Sequence, residues 1–233
     1  MRVRVGTSGY NYPEWKGSFY PERLPASQML SYYAERLTTV EINYTFYRMP
    51  NAKTVDSWNA TTPEDFTFVL KAPRRITHDA RLAFVAKPLA YFCDTARGLG
   101  SKLGPLLFQL PPSFKKAPER LQEVLGLIPA DLRCAFEFRH PSWLTDDIYA
   151  LLRSRNAALC IADSADLTTP LVATADFGYF RLRDEGYTPA ALRRWSATVA
   201  ELGAAWGDAF VFFKHEDAGI GPKLAERFVR LLA

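Results

Sequence analysis

The chain has 233 residues, 48% of them hydrophobic and 23% charged, with 29 Lys and Arg against 25 Asp and Glu. That length and balance provide one sizeable core and exclude the low-hydrophobicity, high-charge profile of a disordered chain. The formal charge of +4 is spread through mixed runs and does not by itself point to nucleic acid.

Short apolar, β-branched or aromatic runs recur, and each is followed by a turn and usually by a stretch of helical period. Strands are predicted near Arg2–Thr7, Thr39–Asn43, Thr67–Lys71, Pro105–Gln109, Arg133–Phe138, Ala158–Asp163, Gly178–Leu182 and Ala209–Lys214. Helices are predicted over Ser27–Leu37, Ala52–Asn59, Arg81–Arg97, Pro118–Leu127, Thr145–Arg155, Pro189–Ala204 and Pro222–Leu232. Three of these open with proline at or near the first turn, where its missing N–H costs nothing. Alternation of this kind calls for parallel strands joined by right-handed crossovers. Eight units with a closing helix fit a TIM-type (β/α)8 barrel, one α/β domain over residues 1–233, better than an open doubly wound sheet. The segment SADLTTPLVATAD after Asp163 is too short and too rich in Thr and Pro for a crossover helix, so a turn or degenerate helix is expected there.

Cys93, Cys134 and Cys160 are widely spaced inside apolar segments and read as reduced core residues. The start, MRVRVGTSGY, lacks the pattern of a secretion leader, and no apolar run approaches the roughly 18 residues that span a bilayer. A cytoplasmic protein without membrane contact is the expectation. Nothing in the sequence indicates the oligomeric state.

In an α/β barrel, chemistry collects where strands end and βα loops begin. Most of the predicted strands finish in a polar or ionisable residue. The first ends in Thr7 and Ser8, the second carries Glu41 and Asn43 on one face, the third ends in Lys71 and the fourth in Gln109. The fifth carries Glu137 and Arg139 on one face, followed by His140. The sixth ends in Asp163, the seventh in Arg181 and Arg183, the eighth in Lys214, His215 and Glu216. Any one of these could be structural, and Glu137 with Arg139, or Glu41 with Lys71, could be buried ion pairs that do no more than fix the mouth. Taken as a set, charges inside apolar strands are costly to desolvate unless paired or used, and barrel closure would aim them at one cavity.

The runs VGTSGYNYPEWKGSFYP, VEINYTFYRMP, FVLKAPRRITH, LGPLLFQLPPSF, FEFRHPSW, ADS and FFKHED, in this order and over nearly the whole chain, resemble the YecE-like family, also called domain of unknown function 72. The resemblance implies a TIM-type barrel with some likeness to endonuclease IV and sugar isomerase barrels, and it brings no activity with it. The residues in matching motifs are Glu41, Asn43, Arg48, Lys71, Gln109, Glu137, Arg139, His140 and Asp163. Many members end the eighth strand in a YFNN-like run where this chain has FFKHED, so a site role for Lys214 and His215 would belong to a subgroup.

Glu41 and Glu137 are the acid/base candidates, because desolvation in apolar strands raises a carboxyl pKa. Lys71 could form a Schiff base with a carbonyl or, more simply, bind an anion or pair with Glu41. Asp163 completes the set of catalytic candidates. Lys71, Arg139, Arg181 and Lys214 make a cation-rich mouth suited to a phosphate- or carboxylate-bearing ligand. With only His78, His140 and His215 in the chain, the histidine-rich multi-metal cluster of endonuclease IV-like barrels cannot be assembled. No cofactor or metal is expected, a single divalent ion on Glu137, Asp163, His215 or Glu216 being the alternative.

The long loop after the first strand supplies Tyr10, Tyr12 and Trp15, which either stack on a sugar or base or pack on themselves as a cap, and the second loop adds Phe46, Tyr47 and Arg48. Two functions compete. One is an enzyme, such as an acid/base hydrolase, lyase or isomerase, acting on a small anionic sugar- or nucleotide-like substrate. The other is a non-catalytic nucleotide or nucleic-acid binder that uses the same mouth, with a regulatory barrel that has lost activity as a third possibility.

Overall fold

In the computed structural model, which describes residues 1–163, 167–184, 186–215 and 219–232, eight parallel strands pair in sequence order and close on themselves. They are β1 (Arg2–Ser8), β2 (Thr39–Ile42), β3 (Thr67–Lys71), β4 (Leu103–Gln109), β5 (Cys134–Glu137), β6 (Ala158–Asp163), β7 (Phe177–Leu182) and β8 (Asp208–Phe213). Closure is made by β1 on β8, in register from Arg2 opposite Asp208 to Thr7 opposite Phe213. The helices are α1 (Met29–Ala34), α2 (Tyr44–Tyr47), α3 (Ala52–Thr61), α4 (Ala86–Arg97), α5 (Pro118–Leu127), α6 (Asp146–Ser154), α7 (Pro189–Leu202) and α8 (Ile220–Leu232). This is the single-domain TIM-type α/β barrel that the alternation predicts.

Period two decides what each strand residue does. One parity points outward and packs under the helices, as Val40, Ile42, Phe68, Leu70, Phe108 and Phe136 do. The other fills the barrel with its own dry layer, made of Val69, Leu107, Ala135, Cys160, Tyr179, Phe210 and Phe212 among others. Below that layer Arg133 pairs with Asp208 at 2.8 Å and lies 5.3 Å from the Phe177 and Phe210 rings, sealing the bottom. Above it the same parity delivers the strand-end polar residues to one mouth. The three cysteines are buried and unpaired, and burial pushes their thiols up.

Two local differences from the predicted elements, and one irregularity that was expected, have physical causes. The helix predicted from Arg81 starts only at Ala86. Arg81, Leu82 and Phe84 all have positive φ, and the first two turn Leu82 fully into the core, so helical dihedrals cannot propagate through them. After β2 the chain makes one extra helical turn, α2, where Thr45 donates to the carbonyls of Ile42 (3.0 Å) and Lys71 (2.6 Å) and ties the loop to β3. Between β6 and β7 the described residues contain no helix. Thr174 Oγ1 accepts from Leu159 N–H and donates to Ala157 C=O, both at 2.7 Å, and Thr169 Oγ1 accepts from Ala162 N–H at 3.2 Å. Threonine hydroxyls thus hold an extended strap against β6, as a segment too short for a crossover helix requires. Among the described residues no helix is long and apolar enough to cross a membrane.

Candidate functional site

The inward parity of β2, β5 and β7 brings Glu41, Glu137, Tyr179 and Arg181 together inside the mouth, all four at most 1% exposed. Arg181 bridges the two glutamates. Its Nη2 donates to Glu41 Oε1 at 2.8 Å and its Nη1 donates to Glu137 Oε2. The second oxygen of Glu41 accepts from the Tyr179 hydroxyl at 2.6 Å. The second oxygen of Glu137 accepts from Arg139 Nε at 2.8 Å and from Gln109 Nε2 at 3.3 Å, with Arg183 Nη1 4.0 Å away. A guanidinium serving two carboxylates makes charge-assisted bonds of the stronger kind and fixes the spacing between strands on opposite sides of the barrel.

This arrangement corrects the acid/base expectation for Glu137. Burial alone pushes its carboxyl up, but the Arg181 and Arg139 charges outweigh that and hold it well below the usual carboxylate range. A group that stays ionised and fully bonded is a fixed charge, not a proton shuttle. The Arg181 guanidinium also occupies the space between the two carboxylates, where a glycosidase pair would need its sugar.

Lys71 is the unusual cation. Among the described residues Lys71 makes no ion pair, with Glu41 or otherwise, while the Glu41 oxygens accept from Arg181 and Tyr179. Its ammonium sits 4.3 Å from the centre of the Phe46 ring, with the His78 ring edge-on to Phe46 at 4.8 Å. Burial and then the nearby Arg181 push the Lys71 pKa down to about 7, against partial opposition from Glu41 and Glu137. Burial and the Lys71 charge lower His78 to about 4, so His78 faces Lys71 as a neutral ring. Arg139 and Arg183, both half-buried, line a hollow of about 70 Å³ over Glu137, closed by Pro112, Ala162 and Leu167. Lys214, of the inward parity, is half-buried just beyond β8.

Other predicted site residues sit elsewhere. Asp163 is of the outward parity, and its Oδ2 accepts from the Tyr187 hydroxyl (2.6 Å) and the Trp195 indole (3.1 Å), which anchors α7 to β6 outside the mouth. His215 likewise points away, bonding the Asp184 carbonyl at 2.6 Å and lying edge-on to Tyr187. His140 bonds both the hydroxyl (2.8 Å) and the N–H (3.2 Å) of Ser142, holding the turn before Trp143. Trp15, 1% exposed, is the centre of a loop cluster with Tyr12, Phe19 and Tyr20, so its ring has no face for a ligand. Arg48 is exposed at the end of α2 and takes no part in the charge network. Glu216 lies outside the described residues. Among those residues no group of three His, Cys, Asp or Glu comes together that could hold a metal.

Tyr10 and Asn43 meet in a second feature. A cleft of about 390 Å³ opens between the first two βα loops, lined by Gly9, Tyr10, Tyr12, Asn43, Tyr44 and Trp58 among others. Gly9 has φ +97°, and a Cβ there would stand 2.4 Å from the Tyr12 hydroxyl, so only glycine leaves this wall intact. Tyr179 could have been found from the sequence as the same-face neighbour of Arg181; Tyr44 and Trp58 had no comparable signal.

The family described as "Protein of unknown function DUF72" matches residues 4–233. Among curated proteins the chain is similar to the UPF0759 protein YunF of Bacillus subtilis, 30% identical over 159 residues that cover 63% of this chain and 54% of that protein. It is also similar to the UPF0759 protein YecE of Escherichia coli, 29% identical over 143 residues, 60% of this chain and 50% of that one. The chain thus spans about half the length of the curated relatives it matches. Among solved structures, a DUF72 family protein of Thermotoga maritima superposes with a TM-score of 0.87 at 28% identity, covering 100% of this chain and 99% of that one. A second, from Enterococcus faecalis, gives 0.84 at 20% identity, covering 99% and 95%, a likeness of fold.

Proposed function

For a chain that belongs to the DUF72 family, whose description carries no activity, we propose an enzyme that acts on a small phosphate- or carboxylate-bearing substrate at the C-terminal mouth of the barrel, with the Lys71 amine as proton acceptor. The observation that carries this reading is a half-buried lysine that makes no ion pair among the described residues while Arg181 bridges both glutamates. An amine with a pKa of about 7 is half neutral at neutral pH, which is the condition a general base needs. Arg139 spends only its Nε on Glu137, leaving the rest of its guanidinium and that of Arg183 to receive an anion in the adjoining hollow. Negative charge that develops as a proton leaves the substrate would be met by these fixed cations. Glu41 and Glu137 serve as the rigid counter-charges that keep Arg181 in place.

The test is a thermal-shift screen against inorganic phosphate, sugar phosphates, nucleotides and small dicarboxylates, repeated with Lys71→Ala and Glu137→Gln. Ligands of this class should stabilise the wild type and lose that effect in the variants, and turnover of the best ligand should vanish in Lys71→Ala. A ligand whose stabilisation survives both changes overturns the site. The complete bonding of the two glutamates favours one competing reading, a mouth that binds nucleotide or nucleic acid without turnover. For a nucleic acid that reading requires affinity that falls steeply with salt.

A further inference from the structure

We propose that the cleft between the first two βα loops binds a nucleobase bearing an exocyclic amino group, so that the ligand of the mouth is an adenine or cytosine nucleotide; the assignment of the phosphate to the mouth rests on the anionic-substrate reading above. The cleft, about 390 Å³, falls within the range of small-molecule sites and is walled by four aromatic side chains, Tyr10, Tyr12, Tyr44 and Trp58. Two of its hydroxyls are already committed: the Tyr12 hydroxyl donates to Ser8 C=O at 2.8 Å, and the Thr54 hydroxyl donates to Asn51 Oδ1 at 3.0 Å.

Two buried polar atoms at the adjoining strand ends have no hydrogen-bond partner among the described residues, the Oδ1 of Asn43 and the Oγ of Ser8. Unpaired buried acceptors are costly in a native structure, and their presence beside a cleft is a reason to look for the donor that completes them. A flat ring with one amino edge matches what this wall presents: aromatic faces to stack on, and one acceptor for its N–H. Asn43, whose side chain lines the cleft and whose Oδ1 is buried as it stands, supplies that acceptor when its amide turns toward the ligand. Two residues before it on the same face is Glu41, which lies beside Ser8 in the β1–β2 register and under Arg181. A base held by Asn43 therefore lies one step along β2 from Glu41 and its Arg181 partner, and the phosphate has to reach from there toward Lys71 and the arginines.

Isothermal titration with AMP, CMP, IMP, UMP, adenosine and ribose 5-phosphate tests this on the wild type, Tyr44→Ala and Asn43→Ala. Tyr44 is half exposed, so its truncation leaves the core untouched. AMP or CMP is expected to bind about tenfold or more tightly than ribose 5-phosphate, and Tyr44→Ala to remove about that factor without altering ribose 5-phosphate. Preference for AMP over IMP, or for CMP over UMP, should disappear in Asn43→Ala. If ribose 5-phosphate binds as tightly as the nucleotides, the cleft assignment falls and the anionic mouth stands. If adenosine binds as tightly as AMP, the cleft stands and the mouth reading falls. Binding of none of them overturns both.

Discussion

Arg181→Met tests the charge network that organises the mouth. The substitution keeps the side-chain stem and removes the cation that serves two carboxylates, so both lose a counter-charge in a site at most 1% exposed. The two losses are unequal. Glu137 retains Arg139 at 2.8 Å and Gln109 at 3.3 Å, whereas Glu41 retains only the Tyr179 hydroxyl. Breaking a buried pair by removing one partner costs about 3–5 kcal/mol, a large share of the roughly 5–15 kcal/mol that holds a domain together. For a chain of this size that corresponds to a fall in Tm of roughly 10 °C. Urea unfolding at pH 7 measures it. Adding Glu41→Gln to Arg181→Met should recover more than half of the loss, and adding Glu137→Gln should recover less. A loss below about 1 kcal/mol, or the reverse order of rescue, would refute the assignment of Arg181 as the keystone.

Glu137 is ionised in the folded state far below the ordinary value of 4.5, so its contribution is present above that value and is lost as pH falls from about 4.5 toward its folded pKa. Acid unfolding curves of Glu137→Gln should lack that part of the slope, and an unchanged slope would count against the pairing. Lys71 has the opposite linkage. Its folded pKa of about 7 lies below the ordinary 10.5, so the folded state pays for the charged amine in full below pH 7 and progressively less up to pH 10.5. Lys71→Met should therefore be more stable than the wild type at pH 6, with the difference shrinking between pH 7 and 10.5, as a pH series of thermal melts would record; a constant difference speaks against a depressed amine. Asp163→Ala removes the acceptor of Tyr187 and Trp195 and should cost about 1–3 kcal/mol in urea unfolding while leaving phosphate-ester binding unchanged, and lost binding would place Asp163 in the site after all.

Periodicity alone located the strands and most of the helices, because apolar runs of period two and stretches of period 3.6 are local properties of the chain. The same rule put Glu41 with Asn43 and Glu137 with Arg139 on shared faces, and barrel closure then required them to converge. It failed where one residue decides the outcome. Asp163 follows the apolar run of β6 and looked equivalent to Lys71, yet its parity sends it outward to Tyr187 and Trp195. The helix start at Ala86, displaced by three left-handed residues around the buried Leu82, is another case in which core packing overrides local propensity.

What the sequence by itself determined is an eight-unit barrel with a polar mouth, since alternation, strand length and strand-end chemistry are written along the chain. Only the tertiary structure decided how the charges divide among themselves. Which carboxylate meets which guanidinium depends on distances across the barrel, between residues as far apart as Glu41 and Arg181. Arg181 reaches both glutamates, and among the described residues Lys71 makes no ion pair and the Asn43 oxygen has no donor. Those residual imbalances, invisible along the chain, are where the chemistry of the mouth and the recognition by the cleft are proposed to lie.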